Sequence, residues 1–408
     1  MLGGRSFSRL MWLTMGCVIG YGGGGDAAII PRESPRHGTR SLASSIELSR
    51  LVKQSLRAQG AAGASISVVK CDDVVYLRSF GLADVEHKQR VTPRTPFAVA
   101  SVAKTFIATA LMQLYEQEKF GLDDDVNKYL PFSVRNPNYP DTPITFRMLL
   151  SHSSGIADNF NLILGRLLWN ADPDPRLEGI LRAYFDPSGQ DYDPSLNFLD
   201  LEPGTASSYC NVCYALNAYL IEVLSGETFT DYCNRHVFAP LDIKAGWFLS
   251  DFAEAQPPLA APYYYDPVSG QYYPYGFYNA ALVYPAGGFF AIDGVSLTSW
   301  LITNINRGEL NHRRILKAAT MDLMHSMIAP LPGGGGYGLG FEIEDRGDGI
   351  YVGKWGSWIG ETAHVFYRTA DKVGVTLIEN GSPWDQGDTG VAAMNDLLIR
   401  LFDEGTRR

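Results

Sequence analysis

Only five of the 408 residues are cysteine, at positions 17, 71, 210, 213 and 233, too few and too scattered for a disulfide framework. A stapled mini-scaffold is excluded, and stability must come from a core, which a 46% hydrophobic composition can supply. No stretch reaches the roughly 20 apolar residues that cross a bilayer as a helix, so no stable membrane span is expected. Lys and Arg number 34 against 44 Asp and Glu, a net charge of -10. Without a long basic run, the electrostatic footprint of a phosphate-backbone binder is missing, and nucleic acid is not an expected partner. The seven histidines form no His-x-x-x-His pair and join no Cys pair at zinc spacing, so no metal is implied. A G-x-S-x-G nucleophile elbow is also missing, and no internal repeat of fixed period occurs.

What is present begins with a leader-like segment. Arg5 and Arg9 precede an apolar run from Leu10 to Ile19 and a glycine-rich stretch, which over residues 1–28 is the pattern of an export signal. An exported protein, periplasmic or secreted, is expected. Cys17 raises lipidation, but Thr14 stands where a lipoprotein signal wants an aliphatic residue, so anchoring is the lesser reading. Residues 29–43, rich in Pro, Arg and Ser, read as a linker.

One folded unit is expected over residues 44–405. Ala64 to Lys70 and Val74 to Phe80 read as a hairpin, and an almost wholly apolar helix should run from Ser101 toward Gly121. Strand-like runs return at Leu339 to Glu344, His364 to Arg368 and Lys372 to Ile378, before an amphipathic helix from Val391 to Phe402. The expected fold class is α/β (α+β), an antiparallel sheet flanked by helices and built from residues 44–121 and 335–405. An inserted all-α domain over residues 122–334 would interrupt it.

Chemistry enters through S-x-x-K, which occurs at Ser67–Lys70 and at Ser101–Lys104. Positions three apart face opposite sides of a strand but lie about 5–6 Å apart on a helix, so only Ser101 and Lys104 can meet. Ser101 has a plainer role as helix N-cap. Lys104 argues against it, because a cation in the first turn opposes the helix dipole and sits in an apolar helix. A serine hydroxyl needs a base, and a tyrosine serves if neighbouring cations lower its pKa. Tyr-x-Asn occurs at Tyr209–Asn211, before an apolar helix, and at Tyr232–Asn234, inside a compact helical stretch. Lys-x-Gly offers Lys119, Lys244, Lys354 and Lys372, and Lys354 precedes Gly356 and Ser357 in a small-residue segment where backbone can approach a ligand. Cys210 and Cys213 form a lone C-x-x-C without a thioredoxin-like context, for which packing is the expected role. The acid run Asp123 to Asp125 reads as a solvated helix start.

Together these residues resemble the serine β-lactamase and penicillin-binding-protein superfamily, in particular its class C β-lactamase-like branch of esterases and D-amino-acid-directed peptidases. The resemblance runs from about Ser45 to Phe402 through FAVASVAKTFIATALMQLYEQEKFGLDDDVNKYLP, ITFRMLLSHSSGI, EPGTASSYCNVCYALNAYLIEVLSGETF, PAGGFFAIDGVSLTSWL and YGLGFEI, in the family's order. It selects Ser101 as the acylated nucleophile, with Lys104 and Tyr209 sharing proton transfers. Asn211 would position the substrate, and Lys354 would bind or polarise it. The backbone N–H groups of Ser101 and Ser357 would form the oxyanion hole beside Gly356. The implied reaction is hydrolysis of a small ester, amide or peptide, which calls for no organic cofactor. Trp355 replaces the threonine that offers a hydroxyl in β-lactam-processing relatives, so efficient β-lactamase activity is not expected. The tyrosines at 263 to 265, 272, 273, 275 and 278 would form either an aromatic rim to the cleft or loop packing. A catalytically dead binder of a peptide or cell-wall fragment, and a scaffold, are the rival classes. Oligomeric state is left open.

Overall fold

The computed structural model describes residues 45–332 and 334–407. The expected leader, the Cys17 anchor and the whole of the linker lie outside the described residues.

Helix α1 (Ser45–Ala58) places Leu48, Val52 and Leu56 on one stripe, all buried. It leads into the hairpin of strands β1 (Gly63–Lys70) and β2 (Asp73–Asp84), followed by the short β3 (Gln89–Arg90). The other strands of the main sheet come from the far end of the chain. They are β4 (Ala329–Pro330), β5 (Gly336–Tyr337), β6 (Glu342–Asp345), β7 (Ile350–Trp358), β8 (Glu361–Arg368) and β9 (Val373–Glu379). The nine-stranded order is β4-β5-β6-β7-β8-β9-β1-β2-β3, and every pairing is antiparallel. The chain's two ends meet at β1 and β9, where Ser67 lies opposite Thr376.

Both sheet faces are covered, which explains why β9 is buried along its whole length. On one face Ala64, Ile66, Val68, Val375 and Leu377 pack with α1 and with the closing helix (Gly387–Arg407), through Met394, Leu397, Leu401 and Phe402. On the other face lie helix α2 (Ala103–Glu116), buried from Ala103 to Leu114, helix α3 (Asn211–Ser225) and helix α4 (Gly294–Ile305). The segment between the sheet's two halves is rich in helices. It also carries small sheets, pairing 167–169 with 278–280, 263–266 with 271–274, and 291–293 with both 96–98 and 245–246.

α2 starts later and ends earlier than its apolar periodicity suggested. Ala100 takes φ 44°, a left-handed conformation that costs an L-residue roughly 1–2 kcal/mol, and residues Ala100–Val102 form a 3₁₀ turn before the α-helix proper. Among the described residues no helix is long and apolar enough to cross a membrane.

Candidate active site

The two S-x-x-K motifs have different fates. Ser67 is a strand residue, exchanging hydrogen bonds with Thr376 at 2.7 Å and Thr298 at 2.9 Å, while Lys70 ends the strand 3.8 Å from Asp371. Ser101 sits in the 3₁₀ turn that leads into α2, and Lys104 Nζ lies 3.0 Å from Ser101 Oγ. Its side chain does not cap α2.

Lys104 is 0% exposed. Its Nζ donates to Asn211 Oδ1 at 2.7 Å and to the Ala286 carbonyl at 2.6 Å. Burial, helped by the like charge of Lys354, pushes its pKa well below the usual lysine range, against the opposing pull of Asp158 and Glu342. A neutral amine has two N–H groups and one lone pair. With both N–H groups engaged, the lone pair is left for the Ser101 hydroxyl.

Tyr209 OH donates to Ser101 Oγ at 2.7 Å. Two lysines flank the ring as anticipated, Lys104 Nζ 5.0 Å and Lys354 Nζ 4.8 Å from its centre. The expected lowering of the phenol is nevertheless absent: burial dominates and raises Tyr209 well above 10, so the resting group is a phenol and not a phenolate. The imidazole of His152 stacks on Tyr209 at 4.3 Å, and its Nδ1 accepts the Cys210 N–H at 3.1 Å. Burial and the two lysines depress its pKa, so His152 stays neutral.

Asn211 opens α3, and its side chain is drawn into the protein. Its Nδ2 donates to Asp158 at 2.7 Å, while Asp158 also accepts the backbone N–H groups of Asn211 and Val212, each at 2.9 Å. A carboxylate on a helix N-terminus is the favoured arrangement. Through Asn211 it fixes the position of Lys104. Cys210 and Cys213 were expected only to pack, but they form a disulfide across this first turn. Cys210 takes the non-helical cap conformation, and a three-residue separation there brings the two sulfurs together without any thioredoxin-like framework.

On the opposite wall, Lys354 Nζ meets Glu342 Oε1 at 2.5 Å, both residues being buried. The amine lies against the rings of Tyr209 and Tyr337. Alternation along β7 puts Lys354 and Gly356 on the site face and turns Trp355 to the other. There Trp355 joins the cluster containing Tyr351 and stacks on Trp384 at 5.5 Å. Ser357 Oγ likewise turns away and donates to the Glu361 carbonyl at 3.0 Å, so this residue can face the cleft only with its backbone. Two glycines enclose the nucleophile's amide. A Cβ at Gly356 would stand 2.7 Å from Ser101 N and 2.3 Å from Val99 O, and one at Gly287 would stand 2.8 Å from Ser101 N. Gly356→Ala must therefore displace the Ser101 turn. A misplacement of about 1 Å costs about 10²-fold in rate, so ester kcat/KM should fall by about that factor in a steady-state assay.

Most of the tyrosine cluster packs. Tyr263 is buried, and its OH takes the Val85 N–H at 2.9 Å, while Tyr272 OH reaches the Ala61 carbonyl at 3.1 Å. The other motif copies are also structural. Tyr232 and Cys233 are buried in a short helix, and Lys244 pairs with Asp242. Asp125 caps the 3₁₀ turn that follows it, while Asp123 and Asp124 bond Arg147 and Lys128. Among the described residues no group of three or more His, Cys, Asp and Glu side chains could hold a metal ion.

A model of the beta-lactamase family matches residues 48–398. The chain belongs to that family. It is 26% identical over 198 residues to Protein flp of Staphylococcus aureus, covering 48% of this chain and 37% of that protein. It is 30% identical over 191 residues to the D-aminopeptidase of Brucella anthropi, covering 47% of this chain and 34% of that one. The chain thus spans well under two thirds of these relatives' length. The octameric penicillin-binding protein homologue from Pyrococcus abyssi superposes with a TM-score of 0.67 at 26% identity, over 88% of this chain and 77% of that one.

Proposed function

We propose that the protein is a serine hydrolase that cleaves ester or amide bonds through an acyl-Ser101 intermediate. One observation carries this: Ser101 Oγ lies 3.0 Å from the Lys104 amine, whose burial-lowered pKa suits it to take a proton, and 2.7 Å from the Tyr209 hydroxyl that donates to it. Lys104 takes the hydroxyl proton as Oγ attacks the carbonyl carbon, and Tyr209 gives its proton to the departing oxygen or nitrogen. Lys104 then restores Tyr209, and water releases the acyl group by the same path reversed. The carbonyl oxygen is held by the Ser101 and Ser357 N–H groups, donors of a kind whose individual loss costs about 10²–10³ in rate.

Asn211 and Asp158 act by positioning Lys104, and Glu342 by holding Lys354 against the Tyr209 ring. Membership of the family and a D-aminopeptidase among the relatives support the reading. β-Lactam hydrolysis ranks second, since the side chain at position 355 turns away from the cleft and the Ser357 hydroxyl proton is engaged with the Glu361 carbonyl. The test is covalent labelling: a fluorophosphonate probe followed by peptide mass spectrometry should modify Ser101, and Ser101→Ala should abolish both label and ester turnover. A label on another residue, or none, refutes the proposal.

A further inference from the structure

If Tyr209 protonates the leaving group, that group must lie on the Tyr209 side of Ser101, and the acyl group must extend the other way along β7. In that direction stands Trp358. It shares its strand face with Lys354 and Gly356, two residues beyond the glycine that abuts Ser101 N. Its ring is half-buried, yet its Nε1–H is fully buried and meets no acceptor among the described residues. A buried donor left unmade is costly unless a ligand supplies the acceptor.

Next to Trp358 is Tyr278, ring centres 6.4 Å apart, and beyond it Trp169 at 6.2 Å from Tyr278. Tyr278 and Trp169 are register partners in the small sheet of residues 167–169 and 278–280. That sheet lies behind the nucleophile: the Ala280 N–H bonds the Gly288 carbonyl, and the neighbouring Gly287 abuts Ser101 N. Tyr278 is buried as the back of the row, while Trp169 is 39% exposed at its mouth. Glu361, the register partner of Trp358, is raised to about 8 by burial, against the opposing hydrogen bonds from Tyr278 and the Ala100 N–H.

We propose that Trp358, Tyr278 and Trp169 form the acyl-side wall of the site, selecting acyl groups that carry an aromatic ring and a hydrogen-bond acceptor. The acceptor takes the Trp358 Nε1–H, and the ring lies against Trp169, which Tyr278 backs. This rests on the acyl-serine reading above, which fixes the leaving group's side.

The test uses three methyl esters with one leaving group, followed by proton release: acetate, 4-phenylbutyrate and hippurate. The last two match in length, but only hippurate has an amide carbonyl in the chain. Wild-type kcat/KM should rank hippurate above 4-phenylbutyrate above acetate, each step about tenfold. Trp169→Ala, at an exposed position, should shrink the advantage of both aryl esters over acetate by about fivefold or more. Trp358→Phe, which keeps a ring and removes the N–H, should make hippurate and 4-phenylbutyrate equal within about twofold. Equal wild-type rates for the three esters, or unchanged ratios in both variants, overturn the wall while leaving the hydrolase intact. Failure of the wild type to turn over even acetate overturns the hydrolase reading, and the wall with it.

Discussion

Replacing Lys104 by methionine should lower ester kcat/KM by about 10²–10⁴-fold, the usual contribution of a positioned general base, and still give a folded protein. Methionine fills nearly the same volume with an apolar chain, so the helix keeps its packing. Two acceptors lose their donor, Asn211 Oδ1 and the Ala286 carbonyl, at about 1–3 kcal/mol each. Against this, the variant no longer buries an amine, and such exchanges are often close to neutral. The pH dependence separates a base from a packing residue. Lys104 must be neutral to accept the proton, so wild-type kcat/KM should fall as pH drops through its lowered pKa, and this acid limb should vanish from the residual activity of the variant.

Stability gives an independent check. Between the native pKa of Lys104 and the usual value of about 10.4, the unfolded chain binds a proton that the native site does not. Wild-type stability should therefore rise with pH across that interval, relative to the methionine variant. Thermal melts of both proteins over a pH series would show it. Parallel melting curves at every pH would mean that Lys104 is protonated in the native state, and the assigned role would fail.

How much of this was legible in the sequence depends on whether a contact is local. Ser101 and Lys104 could be paired from helical spacing alone, and the β1–β2 hairpin from alternation, because each depends on a few consecutive residues. His152, Asp158, Glu342 and Gly287 have no such spacing. Each reaches the site through a tertiary contact; His152, Gly287 and Glu342 fall inside segments that carry the family resemblance, but no spacing there assigns them a role, and Asp158 lies just beyond one of those segments. The expectation that Trp355 meets substrate in place of a threonine is corrected by strand alternation, which puts Lys354 and Gly356 on the site face and Trp355 against Trp384 on the other. The Tyr209 reading erred on the outcome: two lysine amines do flank the ring, but desolvation of a buried phenolate dominates and raises the phenol. The small sheets in the middle of the chain have strands of two to four residues, too short for periodicity to separate from loop.

Tyr209→Phe should be nearly as damaging as Lys104→Met, but unequally so across substrates. The phenol's 2.7 Å bond to Ser101 Oγ is lost, while the ring can keep its stack on His152 and its contacts with both lysines. The fold should survive, one hydrogen bond being worth about 0.5–1.5 kcal/mol. An alkoxide is a poor leaving group and needs a proton as the bond breaks, whereas a nitrophenolate leaves without one. Turnover of methyl and ethyl esters should therefore drop about 10²–10⁴-fold, and turnover of p-nitrophenyl esters by clearly less, in parallel kcat/KM measurements on the same preparation. Equal losses for both ester types would place the effect of Tyr209 on Ser101 itself, before the leaving group departs. In that case the orientation argument that points the acyl group at Trp358 loses its premise, so this one comparison bears on both the proton path and the specificity wall.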